Sequence, residues 1–578
     1  MVERSGSCPS LRLLISAAAL IAVLVFICPL GLEIPLVDPD EGLHAAIAQE
    51  MVEHGDWITP RFQGEAFLDK PILFTWTQAL SLKLFGMNEA AARLPGLFFG
   101  LAAMIATGIV GWRIYSPAAG FIAAMLYGTM ILPTVLAQLP VHDVALIPFA
   151  SLAILLFWEA DRADGFRWKA ILTLAIGVLL GITCLTKGLV GVGLVGVAYG
   201  SYLLVTRRLT VEACVRGAAA LTIAAFVALP WYLAMEARMP GYLHYYFVER
   251  HLLGLTTDTQ RHSGEPIWYY LPILLGGAMP WVVYLPVAIG DWWVQRKSNE
   301  RPGSSGGTAL VCCWLIACTI LLSLAGSKLV TYIWPVLPPI AILAASVWAR
   351  LLDGSLSEPA RRWFGRNFAP TGWIGPLLLP TGLIGLHFIA GVPVPWYAAA
   401  LAVLVGFSAW IPSWLWLKGR YAEALPAGTL VPAAHMLFLM AFVAPHLCQQ
   451  FTARDLAVYL NRRGAIPEQL VIVEERVGSV IFYLDPALRW QLRPGQIRGE
   501  RARNVEELED VKPDTVYALA ESEVEYASRY LDVEKAPWAP AGRYRLYTGT
   551  ASPCRTKEPA IRAGHLSMRH ESPSRLPL

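Results

Sequence analysis

Four acids and a lysine fall within one short stretch of the chain, in Asp38-Pro39-Asp40-Glu41-Gly42-Leu43-His44 and then Leu68-Asp69-Lys70-Pro71. A carboxylate such as Asp40 or Glu41 can take a proton from a hydroxyl as a general base. A lysine such as Lys70 can hold a phosphate as a point charge. Further on come Val141-His142-Asp143, then Thr186-Lys187-Gly188, then Ser327-Lys328-Leu329-Val330-Thr331-Tyr332. Lys328 and Tyr332 are four apart, so in a helix they share a face, and a helix N-terminus favours an anion. Between these motifs lie Tyr245-Tyr246-Phe247-Val248-Glu249-Arg250-His251 and Arg261-His262-Ser263-Gly264-Glu265. Together these residue types suit one task, holding an anion beside an acid-base carboxylate. His, Glu and Arg also suit a divalent metal, but no HExxH or other tight ligand spacing indicates one.

Each residue also has a plainer reading. Asp40 and Asp143 suit helix N-termini, where an acid complements the dipole. Lys70 can snorkel at a membrane interface. Lys187 suits a helix C-terminus closed by a capping glycine, Gly188. The aromatics around 245–270 fit an interfacial belt. The functional reading gains from grouping, because the chain is otherwise poor in charge.

That poverty defines the elements that must position the motifs. Of 578 residues, 56% are hydrophobic and 15% charged, against about 25% charged in a soluble protein. The deficit comes from apolar runs near twenty residues long, the length that spans a bilayer core. In lipid such runs satisfy their backbone groups as helices. Thirteen spans are expected, near 11–32, 92–112, 118–138, 142–159, 170–186, 189–206, 215–235, 267–289, 308–326, 329–349, 370–391, 394–417 and 428–447. The first follows Arg4 and Arg12 and reads as a retained span. No basic block or basic-aromatic stretch points to nucleic acid.

Loop charges set the expected orientation. With a cytoplasmic N-terminus, every second loop is basic, from Arg113 through Arg162, Arg167 and Lys169 to Lys418 and Arg420. The short opposite loops hold only Lys187 and Lys328. The larger outer segments are 33–91, 236–266 and everything after 449. In the first, Asp40 opens a helix whose Leu43, Ile47 and Met51 form an apolar face suited to the membrane interface. Gly55-Asp56-Trp57 ends that helix, and a second amphipathic stretch runs to Phe85.

The domain reading is a transmembrane domain over 1–448, a small soluble α/β domain over 449–551, and a disordered tail over 552–578. In the α/β domain, Thr452 caps a helix ending at Arg463 and Gly464. β-rich runs follow at 469–473, 479–484 and 544–547. Most of the nine cysteines lie in apolar runs and read as buried small hydrophobes. Cys448 and Cys554 can both face an oxidising compartment.

The ordered set of motifs resembles the bacterial membrane glycosyltransferases related to protein O-mannosyltransferases. It looks most like the branch containing the aminoarabinose transferases of lipid A, the ArnT-type enzymes. The matching stretches are Asp38-Pro39-Asp40-Glu41, Gly55-Asp56-Trp57-Ile58-Thr59-Pro60, Leu68-Asp69-Lys70-Pro71, Asp143, Thr186-Lys187-Gly188, the 249–270 loop and Lys328-Leu329-Val330-Thr331-Tyr332. They cover residues 10–350; beyond that only the layout fits.

The resemblance implies a GT-C fold in the inner membrane and an inverting transfer that uses no nucleotide sugar. The expected donor is a sugar on polyprenyl phosphate, and the expected acceptor lipid A or another glycolipid at the periplasmic face. Glycosylation of secreted proteins is the alternative within the class. Outside it stands a transporter of lipid-linked sugars, disfavoured because the charges gather at the rim rather than the midplane. The implied catalytic acids are Asp40, Glu41 and Asp143. The donor phosphate would be held by Lys70, Lys328, Tyr332, Arg250 and Arg261. Asp69, Lys187, His262 and Glu265 complete the cavity. The sequence departs from the aminoarabinose branch at Leu43 and Gly254, where that branch has arginines, and in Asp69-Lys70-Pro71-Ile72, where it has Glu-Lys-Pro-Pro. Arg250 and Arg261 are substitutes for the second arginine, and the sugar and acceptor stay open.

Overall fold

The computed structural model describes residues 34–253, 264–298, 302–390, 393–473, 477–500, 515–528 and 538–548. These fall into two compact units, one formed by residues up to 462 with 477–495, the other by 463–476 with residues from 496 onward.

The first unit is helical and holds the spans. Eight described helices are long and apolar enough to cross a bilayer, or ten when each of two bent pairs counts as one span. Two shorter apolar helices, Leu189–Val205 and Gly375–Phe388, match two more of the expected thirteen. The first expected span lies outside the described residues. The chain is therefore a multi-span membrane protein.

Two spans expected to be continuous are broken. The pair Pro117–Tyr127 and Ile131–Ala137 bends by 65°, and the pair Tyr270–Gly277 and Trp281–Trp292 by 99°. Pro280 stands in the second break, where a proline removes a donor and clashes with the preceding turn. The span expected at 329–349 opens as a 3-10 helix, Val330–Val336, before becoming α-helical at Leu337–Leu352.

Nine helices lead to the site: α1 (Asp40–His54), α2 (Leu73–Phe85), α3 (Glu89–Ile114), α4 (Pro117–Tyr127), α5 (Ile131–Ala137), α6 (Asp143–Ala160), α7 (Phe166–Lys187), α8 (Leu189–Val205) and α9 (Val211–Arg238). α1 ends where the sequence says it must. Gly55 takes φ 69° and returns its N–H to the Met51 carbonyl, a conformation that favours glycine. A two-residue hairpin, β1 (Arg61–Phe62) with β2 (Glu65–Ala66), follows. The Glu50 carboxylate of α1 accepts the N–H of Gly64 in its turn, at 2.9 Å.

The apolar face of α1 is not spread on a membrane interface. Ile47 and Met51 are buried, and α1 packs against the helix Gly478–Tyr483. That helix corrects a second expectation, since 479–484 reads as a strand. Its residues Val480, Ile481 and Phe482 suit a pleated surface, but close packing on α1 decides the outcome. A Cβ on Gly478 would lie 2.1 Å from the Leu43 backbone nitrogen, and one on Gly42 2.2 Å from that of Ser479. Only glycines permit this approach.

The second unit carries a mixed five-stranded sheet, β3 (Leu470–Val473), β4 (Ile497–Glu500), β5 (Val516–Ala520), β6 (Trp538–Ala541) and β7 (Tyr544–Thr548), in the order β4-β3-β5-β7-β6. β3 pairs parallel with β4 and β5, with Val471 opposite Arg498 and Tyr517. β7 runs antiparallel to β5 and β6. The strands expected at 469–473 and 544–547 are β3 and β7. The helix expected up to Arg463 is present as Arg454–Arg463, in the first unit up to Arg462, with Thr452 accepting from the Arg454 N–H at 3.3 Å. Cys448 is a free cysteine; Cys554 and the expected disordered tail lie outside the described residues.

Candidate functional site: a charged cavity at the span ends

Five segments converge on a cavity of about 140 Å³. The first loop brings Asp69 and Lys70, carried there from α1 by the hairpin. Asp143 opens α6, and Lys187 closes α7. Arg250 and His251 come from the π-helical segment His244–Leu253. Thr331 and Tyr332 come from the 3-10 turn. Gly188 lets the chain pass from α7 to α8 at φ 63°, and a Cβ there would meet His251 Nε2 at 2.5 Å. No residue but glycine fits that corner.

The charges in the cavity are mostly paired. Lys187 forms an ion pair with Asp143 and lies 3.7 Å from the Tyr332 ring centroid, a cation-π contact. The Asp69 carboxylate accepts from the Tyr245 hydroxyl at 2.6 Å and from the Arg250 guanidinium at 3.1 Å. Burial lowers the pKa of His251. Three cations, Lys70, Lys187 and Arg250, thus face two carboxylates, Asp69 and Asp143, leaving one positive charge. That charge is Lys70, which has no hydrogen-bond or ion-pair partner among the described residues. A half-buried lysine with no direct ion-pair partner can hold an anion as a point charge.

Asp40 is exposed in the first turn of α1, and no described residue hydrogen-bonds its carboxylate. It does not line the cavity with Lys70, but its field reaches His44, as do those of Lys70, Asp143 and Asp69. The helix starts at Asp40 itself, with Pro39 in the cap position, so Asp40 is not the cap that the sequence suggests.

Two of the candidates are engaged elsewhere. Glu41, expected among the catalytic acids, is 2% exposed and clamped by Arg93. The guanidinium donates to both carboxylate oxygens, at 2.9 and 2.7 Å, and to the Ile34 carbonyl. Glu41 also accepts the Val37 N–H at 2.8 Å. Its geometry is that of a tie between the first loop and the start of α3. Lys328 and Tyr332 do not share a helical face, because Leu329 is extended (φ −126°, ψ 152°) and the turn beyond it is 3-10. Lys328 is buried and donates to the Glu265 carbonyl at 3.0 Å. Glu265 is exposed away from the cavity lining. Arg261 and His262 lie outside the described residues, as does Gly254.

Sequence reasoning missed Arg93, although an arginine inside an apolar run signals a partner or a function. It also passed over His44, His142, Tyr245 and Ser479. Only His142, beside Asp143, carried a local hint. A larger cavity of about 270 Å³, between Trp281, Tyr284 and the helices 374–390 and 421–442, is lined almost wholly by apolar side chains. It offers no comparable chemistry.

The fold and site define a polytopic membrane protein with a charged cavity at one end of its spans, and its fold is similar to that of ArnT, of the GT-C type. Residues 40–246 match the family model described as dolichyl-phosphate-mannose-protein mannosyltransferase. The undecaprenyl phosphate-alpha-4-amino-4-deoxy-L-arabinose arabinosyl transferase of Edwardsiella ictaluri is 32% identical over 382 residues, covering 65% of either chain. The corresponding enzyme of Aeromonas salmonicida is 31% identical, again over 65% of each. The match thus spans just under two thirds of these relatives' length. A second such enzyme of Pseudomonas fluorescens is 28% identical over 82% of this chain and 83% of its own. The crystal structure of ArnT from Cupriavidus metallidurans bound to undecaprenyl phosphate superposes with a TM-score of 0.72, at 20% identity, over 95% of this chain and 99% of that one.

Proposed function

We propose that the chain is a glycosyltransferase that moves a sugar from polyprenyl phosphate, in bacteria undecaprenyl phosphate, to lipid A or another envelope glycolipid. The observation that carries this is the unpaired Lys70 ammonium in a cavity shared with Arg250, Lys187 and Tyr332. A lipid phosphate supplies the anion that lysine lacks, and its chain lies among the spans. The similarity to undecaprenyl phosphate-aminoarabinose arabinosyl transferases and the undecaprenyl phosphate bound in the similar ArnT structure support the same donor.

The transfer is one displacement. The acceptor hydroxyl oxygen attacks the anomeric carbon, and its proton passes to Asp40. The bond from that carbon to the phosphate oxygen breaks, and the configuration inverts. The lipid phosphate leaves with its electron pair, stabilised by Lys70 and Arg250. Asp143 holds Lys187 in place beside it. The site faces the periplasm of a bacterial inner membrane, with the N-terminus cytoplasmic and the C-terminal region periplasmic, on the strength of the loop charges.

The match over residues 40–246 favours a second reading, transfer to secreted proteins. Mass spectrometry of envelope lipids and secreted proteins, from cells with and without the gene, separates the two. The first reading expects one sugar to vanish from a glycolipid and to stay absent with Asp40→Asn; loss from proteins alone supports the second. An unchanged envelope in cells that express the chain overturns both.

A further inference from the structure

Two imidazoles beside the site have no work in that displacement. His44, one turn along α1 from Asp40, and His142, next to Asp143, meet with ring centroids 4.3 Å apart at 66°. They are 7% and 4% exposed. Phe74 lies against His142 at 4.9 Å and Phe67 against His44 at 6.2 Å. Neither ring hydrogen-bonds any described residue, and both nitrogens of His142 are buried without a partner. Buried polar atoms are nearly always satisfied, so an unsatisfied pair points to a ligand or a functional role. The charged groups around His44 are Asp40, Lys70, Asp143 and Asp69. Burial depresses the His44 pKa to about 4, leaving the ring uncharged at neutral pH.

An uncharged imidazole offers one donor and one acceptor. Its complement is a group that also donates and accepts without charge, which is a hydroxyl. A phosphate would choose Lys70 instead, and an ammonium the carboxylates. We propose that His44 and His142 form a hydroxyl-binding subsite beside Asp40, which recognises the ring hydroxyls of a carbohydrate. Within it His44 contacts the sugar, and His142 is a positioning residue. A turn of either ring lets His142 donate to His44. The bond at one nitrogen then fixes the tautomer at the other, so that His44 donates to the hydroxyl oxygen. The subsite rests on the glycosyltransferase reading, whose phosphate-binding half it leaves unchanged.

The test compares two probes on the full chain in lipid nanodiscs: undecaprenyl phosphate alone, and the same lipid carrying glucose, mannose or 4-amino-4-deoxyarabinose. The wild type should bind at least one sugar-bearing lipid more tightly than the bare lipid, by roughly tenfold for one good hydrogen bond. His44→Phe, which keeps a ring but no donor, should erase that difference and leave binding of the bare lipid unchanged. His44→Gln, which keeps a donor and an acceptor, should restore part of it. His142→Phe should weaken the sugar preference less than His44→Phe. Equal binding of bare and sugar-bearing lipids by the wild type would overturn the subsite while sparing the phosphate site. A sugar preference intact in His44→Phe would overturn it too, as would equal loss of both probes. If the wild type binds none of the lipids, the donor reading itself fails.

Discussion

The carboxylate of Asp38 accepts the backbone N–H of Ser479 at 3.0 Å and also its side-chain hydroxyl, across 441 residues of sequence. The bond holds the strand of chain that leads into Asp40. Gly42 and Gly478 allow the two segments to touch backbone to backbone. Ser479→Ala should therefore disturb activity as well as stability, because the Asp38 carboxylate loses the hydroxyl donor and the Ala453 N–H loses its acceptor. Gly42→Ala should be worse, since a methyl group would sit 2.2 Å from the Ser479 nitrogen. Overpacking of this kind costs about 1–3 kcal/mol. Thermal unfolding of both variants in detergent checks the order; equal melting of Gly42→Ala and wild type would contradict the close contact.

Glu41 and Asp40 are adjacent in sequence but opposite in role, and substitution should separate them. Asp40→Asn replaces an exposed carboxylate that no described residue binds, so the protein should melt like the wild type and fail to transfer. Glu41→Gln leaves the Arg93 guanidinium buried without its counter-charge. Breaking one side of a buried pair costs about 3–5 kcal/mol. The expected outcome is a poorly folded protein, and Glu41→Gln with normal melting but no activity would return Glu41 to the catalytic acids.

Lys70 should govern affinity for the lipid phosphate. Hydrogen bonds to charged groups contribute about 1.5–3 kcal/mol, or roughly 10–150-fold in affinity. Lys70→Ala should weaken undecaprenyl phosphate binding within that range, measured by titration in nanodiscs. Lys70→Arg keeps the charge and should lose less. Unchanged affinity in Lys70→Ala would remove the observation on which the proposed donor rests.

The residues behind these outcomes differ in how plainly the amino-acid sequence announces them. Apolar run lengths and loop charges are averages over many residues, so the spans are legible even where Pro280 breaks one. Gly55 and Gly188 are legible because φ near 60° leaves few alternatives to glycine. Asp69, Lys70, Asp143, Lys187, Arg250 and Tyr332 each stand out singly by type and motif, and the fold brings all six to one cavity. What stays hidden depends on partners far away in sequence. Nothing local in Asp40-Glu41 says which acid meets Arg93. Nothing in 479–484 says that α1 will claim it. The His44–His142 contact joins residues 98 apart, and neither has a neighbouring residue that reveals the pairing.

The pH dependence of stability follows from His44. Its pKa falls from 6.5 in the open chain to about 4 in the fold, chiefly through burial, with Lys70 adding to the shift and Asp40, Asp143 and Asp69 opposing it. Between those values the unfolded chain binds a proton that the folded one refuses. Stability from this group is thus complete above pH 6.5 and is lost as pH falls toward 4. At pH 5 the gap amounts to about 2 kcal/mol. Glu50, whose pKa burial raises, acts in the opposite sense, favouring the fold as pH falls, so the total slope mixes several groups. The difference between wild type and His44→Gln isolates one of them. Melting temperatures taken at pH 7 and pH 5 should fall further in the wild type than in the variant, and parallel losses would mean that His44 is not held neutral.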